Sequence, residues 1–205
     1  MTKGLGAALV QEARPKQWAK NLLVLAAPGA AGVLDNGSYL WRAVVMFVAF
    51  CMVSSGTYYW NDVLDHESDR NHPTKRLRPI ARGDVPLSLA RVVGTLLLLG
   101  GVGLASLTHP RAALAAAAYV VVTSLYSSVL KHVAVVDLVA VSAGFVIRAI
   151  GGAVATDVPM STWFLLTTSF GSLFIVTGKR YAELRELGDG AQVRQTLEDY
   201  TSGFL

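Results

Sequence analysis

The chain has 205 residues, of which 53% are hydrophobic and only 16% charged. Soluble domains carry about 25% charged residues, and here the shortfall falls in long apolar blocks, so an ordinary soluble domain is excluded and an integral membrane protein is indicated. The net charge of +4 reads in that setting as basic cytoplasmic loops, not as a nucleic-acid surface, and the single Cys51 excludes an internal disulfide framework.

Taken in chain order, the first feature is a basic N-terminal segment with Lys3, Arg14, Lys16 and Lys20, followed by a short apolar stretch at 21–34. The order of basic, apolar and small residues resembles a signal peptide. Further apolar blocks follow, so the stretch reads as an uncleaved first helix. A membrane helix needs roughly 20 apolar residues, and five more stretches qualify: 39–60, 87–107, 111–130, 133–154 and 159–178. Turn signals separate them at LDNGS, THPR, LKHV and ATDVP. The expectation is an all-α transmembrane bundle of about six spans, forming one domain over 1–205.

Positive charge gathers on one side. It lies before the first span, between the second and third (Arg70, Lys75, Arg76, Arg78, Arg82), at Lys131, and after the sixth (Lys179, Arg180, Arg185, Arg194). The positive-inside rule therefore places both ends and the 61–86 loop in the cytoplasm. Trp18, Tyr39, Trp41, Trp60 and Trp163 fit aromatic belts at the two interfaces. Arg148, near the far end of its span, is expected to snorkel or to pair with Asp157.

The second span runs into NDVLDHESDR, residues 61–70. Asp62, Asp65 and Asp69 are spaced i, i+3, i+7, which on a helix puts them in one narrow arc, with Asn61 a turn before Asp65. Like charges so placed repel unless a cation neutralises them, and oxygen-only donors suit Mg²⁺ or Mn²⁺. The alternative is a solvated helix end whose carboxylates pair with Arg70 and Arg82. The next loop, HPTKRLRPIARGDVP, holds Lys75, Arg76, Arg78 and Arg82 between turn-forming prolines. Anionic lipid would explain the basic residues but not the acids. A metal beside a fork of Arg and Lys suits a diphosphate. Asp137 stands near the cytoplasmic start of the fifth span, where a buried acid is a functional residue by default.

NDVLDHESDR resembles the first aspartate-rich motif of the UbiA superfamily of intramembrane prenyltransferases. RPKQWAKNLLVLAAP, LYSSVLKHVAVVDL, FVIRAIGGA and GKRYAEL are similar to the branch that transfers phosphoribosyl groups to polyprenyl phosphates. The resemblance implies 5-phosphoribosyl diphosphate as donor and decaprenyl phosphate as acceptor, with diphosphate released, for cell-wall arabinan precursors. It implies a bacterial inner-membrane enzyme with a cytoplasm-facing site, working alone or as a homo-oligomer. Asn61, Asp62, Asp65 and Asp69 would hold Mg²⁺ or Mn²⁺. Lys20, Lys75, Arg76, Arg78, Arg82, Lys131, Lys179 and Arg180 would hold phosphates. Tyr126 would donate to a phosphate or sit in the headgroup belt. Glu183 would touch metal or ribose, or pair with Lys179 at i+4.

Two departures from the superfamily stand out. Where it carries a second aspartate-rich motif, this chain has GKRYAELRE; the change from acid to base favours a phosphoribosyl donor over a prenyl diphosphate. The family also continues with further spans beyond the point where this chain stops. Competing readings are a prenyltransferase with an aromatic acceptor and a non-catalytic transporter or lipid-binding protein.

Overall fold

The computed structural model describes residues 4–130, 133 and 135–187, and within them every regular element is helical. In chain order these are α1 (Leu5–Glu12), a 3₁₀ segment (Pro15–Leu25) running into α2 (Ala26–Ala30), α3 (Gly37–Leu64), α4 (His66–Arg70), a 3₁₀ turn (Lys75–Leu77), α5 (Pro79–Arg82), α6 (Leu87–Ser106), α7 (Pro110–Ser128), α8 (Val136–Ala155) and α9 (Thr162–Leu187). Local chemistry sets several boundaries. The Asn36 side chain caps α3 by accepting from the Ser38 N–H. Pro79 opens α5 and Gly83, at φ +84°, closes it in the left-handed conformation that glycine adopts without steric cost.

The all-helical expectation holds; the count of about six spans is not confirmed. Among the described residues, three helices are long and apolar enough to cross a membrane: α3, α6 and α8. The first stretch is a 3₁₀ segment and one short helix, not a spanning α-helix. Helices α7 and α9 are long enough at 19 and 26 residues, but serine, threonine and tyrosine dilute their apolar content.

Helix α3 is the central post. It packs along α6 through glycine: a Cβ at Gly56 would press on Leu98 and the Gly94 carbonyl, and one at Gly101 on Val53 and the Ala49 carbonyl. Small residues let helices approach closely where lipid supplies no hydrophobic drive. Helix α3 also contributes Met46, Ala49, Phe50 and Val53 to a core shared with Val24, Ala105, Ala116, Tyr119 and Ala155. Phe50 and Tyr119 meet edge to face, ring centroids 5.6 Å apart. Helix α8 lies against the 3₁₀ segment so closely that no Cβ fits at Gly152, whose place is taken by the Val24 carbonyl. Large apolar side chains of α6, α7 and α9, including Leu96, Leu114, Phe170 and Phe174, point outward, as a bilayer-facing surface does.

A second core of Ala8, Tyr59, Val63, Ile80, Val85 and Ala90 ties α1 and α5 to the end of α3. Hydrogen bonds add to it: Tyr59 Oη donates to the Leu9 carbonyl (2.7 Å), Ser55 to the Ala13 carbonyl (2.9 Å), and Trp18 Nε1 to Ser55 (3.0 Å). Trp18 is thus a packing and hydrogen-bonding residue, not a free belt residue. The turn between α1 and the 3₁₀ segment is fixed against the acid-bearing end of α3.

Candidate active site

The helix carrying the acids ends sooner than their spacing implies. Helix α3 stops at Leu64, Asp65 adopts a non-helical conformation, and α4 starts at His66. The expected arc is therefore broken at Asp65, and the four motif residues divide between two environments.

Asp62 and Asp69 come together, both almost fully buried. One atom, Nη1 of Arg78, donates to Asp62 Oδ1 at 2.9 Å and to Asp69 Oδ2 at 2.6 Å. Arg14 donates to the other oxygen of Asp62, and Lys75 Nζ lies 3.9 Å from Asp69. Arg14 reaches in from a left-handed backbone position, φ 54°, with its guanidinium 4.5 Å above the Tyr58 ring. A non-glycine residue held in that conformation stores strain, a feature that clusters at functional sites. The partners of the acids are therefore Arg14, Arg78 and Lys75, not Arg70 and Arg82. Arg70 donates to the Ala81 carbonyl at 3.1 Å, Arg82 pairs with Asp84, and Arg76 is exposed. Proline at the head of α5 and the glycine behind it fold the basic loop back so that only part of it faces the carboxylates.

Glu12, absent from the motif reading, opens on the same space. A cavity of about 290 Å³ is lined by Glu12, Arg14, Asp62, Thr74 and Arg78 among others. Glu12 is 1% exposed and stands close enough to Asp62 for the two carboxyl groups to share a hydrogen bond. Burial, with the neighbouring Asp62 adding to it and Arg14 opposing, pushes its pKa up to about 8. No sequence pattern marks Glu12; only its place two residues before Arg14 hints at it.

Asn61 and Asp65 face the other way. They line a cavity of about 420 Å³ between α3 and α7, together with Trp60, Ser124, Ser127 and Ser128. Through Asn61, Thr57 and Ser127 this space adjoins a second cavity of about 170 Å³, where Lys20, Tyr58, Tyr126 and Arg148 meet. Trp60 thus lines a cavity, contrary to a belt role. Arg148 neither snorkels nor pairs with Asp157. It is buried and donates to Asn21 Oδ1 (2.7 Å), the Gly144 carbonyl (2.7 Å) and Tyr119 Oη (2.9 Å). An arginine in an apolar helix was the available signal for it. Burial, then the nearby Lys179 and Arg148, holds Lys20 below the ordinary lysine value; of the three, Lys20 and Arg148 line this cavity.

The α8–α9 seam holds the remaining residues. Asp137, in the first turn of α8, is fully buried and accepts from Arg180 Nη2 at 2.6 Å; Arg180 Nη1 donates to Glu183 at 2.8 Å. Lys179 is mostly exposed and lies 3.7 Å from Glu183, as the i+4 spacing allows. GKRYAEL is thus a buried ion-paired clasp with Lys179 at its edge. Lys131 lies outside the described residues.

Among the described residues no set of three His, Cys, Asp or Glu side chains is gathered to hold a metal ion. The donor chemistry nonetheless fits one. Two buried carboxylates converge on a point that the Arg78 guanidinium occupies. The guanidinium serves there as the internal counter-ion.

The profile of the UbiA prenyltransferase family matches residues 22–192. The chain is 47% identical over 209 residues to the decaprenyl-phosphate phosphoribosyltransferase of Mycolicibacterium smegmatis, covering 99% of this chain and 65% of that enzyme. It is 48% identical over 207 residues to the enzyme of the same description from Mycobacterium tuberculosis strain H37Rv, covering 98% and 68%. The chain therefore spans about two thirds of the length of these relatives. Its fold matches the structure of a UbiA homolog from Archaeoglobus fulgidus bound to DMAPP and Mg²⁺, with a TM-score of 0.74 at 18% identity, over 87% of this chain and 64% of that one.

Proposed function

Because this chain belongs to the UbiA prenyltransferase family, we propose that it carries the catalytic part of an integral membrane phosphoribosyltransferase. It moves the 5-phosphoribosyl group of phosphoribosyl diphosphate to a polyprenyl phosphate, decaprenyl phosphate in the first instance. The similarity to decaprenyl-phosphate phosphoribosyltransferases along nearly the whole chain supports the reading. The observation that carries it in the geometry is the gathering of polar groups around the end of α3: Asp62 and Asp69 meet Arg14, Arg78 and Lys75 on one side, and Lys20, Tyr126, Arg148 and the α7 hydroxyls line the cavities on the other.

Each side suits one phosphorylated partner. Asp62 and Asp69 would hold Mg²⁺ or Mn²⁺, whose charge would neutralise the departing diphosphate; Asn61 and Asp65 face the α7 side instead. Arg78 and Arg14 are close enough to turn from the carboxylates to the diphosphate oxygens, which they bind as planar forks. Ser124, Ser127 and Ser128 present hydroxyls to the ribose. Lys20 and Lys179, with Arg148 behind them, receive the acceptor phosphate. Asp137, Arg180 and Glu183 hold α9 against α8, and Tyr126 lines the cavity with Lys20. The C1–O bond to diphosphate breaks with oxocarbenium character on the ribose, and an acceptor phosphate oxygen forms the new bond to C1. The acceptor is ionised at neutral pH, so no general base is needed. The positive side of the bundle, and with it the site, faces the cytoplasm.

The test is transfer of labelled phosphoribosyl diphosphate to decaprenyl phosphate in membranes carrying the chain, with and without Mg²⁺. A second tube offers a prenyl diphosphate and 4-hydroxybenzoate. A Mg²⁺-dependent labelled lipid that disappears in Asp62→Asn is expected. Product in the second tube alone would move the assignment to an aromatic acceptor.

A further inference from the structure

We propose that Tyr58 donates a hydrogen bond to the phosphate of the lipid acceptor, beside Lys20 and the charge of Arg148, an inference that rests on the acceptor reading of the preceding subsection. The starting point is a charge imbalance. The cavity of about 170 Å³ is bordered by Lys20, Tyr58 and Arg148, and its described lining includes no aspartate or glutamate. Arg148 is buried, and its three acceptors, Asn21 Oδ1, the Gly144 carbonyl and Tyr119 Oη, are all neutral. Among the described residues Lys20 has no ion pair or hydrogen bond, and the Tyr58 hydroxyl has no hydrogen bond. A buried cation is costly unless an anion meets it. Two unmatched cations and an idle phenol around one small cavity therefore mark the place of an anion.

The lining also selects the kind of anion. A diphosphate is bound together with a divalent ion, which takes carboxylate oxygens, and the acids stand outside this cavity. A phosphate monoester needs only cations and hydroxyl or N–H donors. Part of the wall is formed by Ala140, Val141 and Phe145, apolar residues that suit the first carbons of a hydrocarbon chain. A prenyl monophosphate matches both parts of the lining. Tyr58 is placed to serve it on a held ring. It stands one turn before Asp62 on the same face of α3, and the Arg14 guanidinium that donates to Asp62 lies 4.5 Å over its ring. One residue thus touches the acid cluster through its ring and borders the cavity of Lys20 and Arg148.

The experiment uses the chain purified in detergent, with a chelator present and farnesyl phosphate as the probe, its binding read by isothermal titration calorimetry. Tyr58→Phe keeps the ring over Arg14 and removes only the hydroxyl; Lys20→Met removes the neighbouring charge. Melting temperature reports folding, and a separate titration of phosphoribosyl diphosphate with Mg²⁺ reports the donor side. Tyr58→Phe is expected to bind farnesyl phosphate about tenfold more weakly, with donor affinity and melting temperature at wild-type values. Lys20→Met should weaken the same probe. Wild-type affinity for farnesyl phosphate in Tyr58→Phe, alongside loss in Lys20→Met, would overturn the inference and leave the acceptor site standing. Equal weakening of donor and probe in Tyr58→Phe would also overturn it, because the hydroxyl would then not belong to the acceptor. No binding of farnesyl phosphate by the wild type would overturn both the inference and the acceptor reading. Tyr58-dependent binding of farnesyl phosphate, together with absence of phosphoribosyl transfer by the wild type, would uphold the phosphate contact and overturn the donor assignment.

Discussion

Arg148, inside α8, donates through Nε to Oδ1 of Asn21 at 2.7 Å across 127 positions of sequence. Both side chains are buried, and Asn21 also donates to Ser54 and Cys51 on α3 at 3.3 Å. One polar chain thus links the 3₁₀ segment, α3 and α8 behind the cavity. Arg148→Lys keeps the charge but loses the planar fork and its stacking on Tyr119. It is expected to lower stability by about 1.5–3 kcal/mol, the range for hydrogen bonds to charged groups. Asn21→Ala should cost a similar amount, and the double variant less than the sum. Denaturation in detergent across the four-member cycle checks this.

The contact of α8 with the 3₁₀ segment leaves no room for a methyl group at Gly152, because the obstacle is the Val24 backbone. Backbone cannot step aside as a side chain tip can. Gly152→Ala should therefore destabilise the bundle by about 3 kcal/mol or more. Gly103, in α6, has open space where a Cβ would stand, with nothing within 4 Å; alanine there should be neutral or stabilising by roughly 0.5 kcal/mol. Paired thermal melts of the two variants separate crowding from helix propensity.

Asp137 and Arg180 form the buried part of the α8–α9 clasp, and Glu183 completes it. Asp137→Asn leaves a buried guanidinium short of charge and should cost about 3–5 kcal/mol. Replacing both members by apolar residues, Asp137→Leu with Arg180→Met, should cost less than Asp137→Asn alone. Equal or greater loss in the double variant, measured by melting in detergent, would show that the clasp does more than compensate charge.

Glu12 links the site to pH. Its pKa is raised from the ordinary 4.5 to about 8, first by burial and then by Asp62. A carboxyl with a raised folded pKa holds its proton in the folded protein after the unfolded chain has released it. Its contribution to stability is therefore whole below about pH 4.5 and is lost as pH rises to about 8. Each pKa unit is worth ~1.4 kcal/mol, so the metal-free protein should weaken by a few kcal/mol across that window. Glu12→Gln should flatten this part of the profile. Melting temperatures at pH 5 and pH 8.5 in the presence of a chelator, for wild type and variant, give the comparison.

The class of the molecule is legible in the linear chain. Apolar blocks demand an all-helical membrane protein, because lipid leaves backbone groups no partner outside a helix. The NDVLDHESDR motif and the basic loop mark where anionic chemistry gathers, since charges at the end of an apolar helix need a reason. Asp62, Asp69, Arg78 and Lys75 are all readable there and do meet. Which charges face which is settled by packing. Ideal helix spacing puts Asp65 beside Asp62, but α3 ends at Leu64 and turns it to the α7 side. Arg14, Glu12 and Arg148 enter the site from far along the chain, through contacts that only packing against α3 creates. Arg180, expected as a free phosphate ligand, is held by Asp137 from 43 positions away. Periodicity registers neighbours within one helix; partners on different helices are set by how small residues let those helices approach, which the linear pattern does not encode.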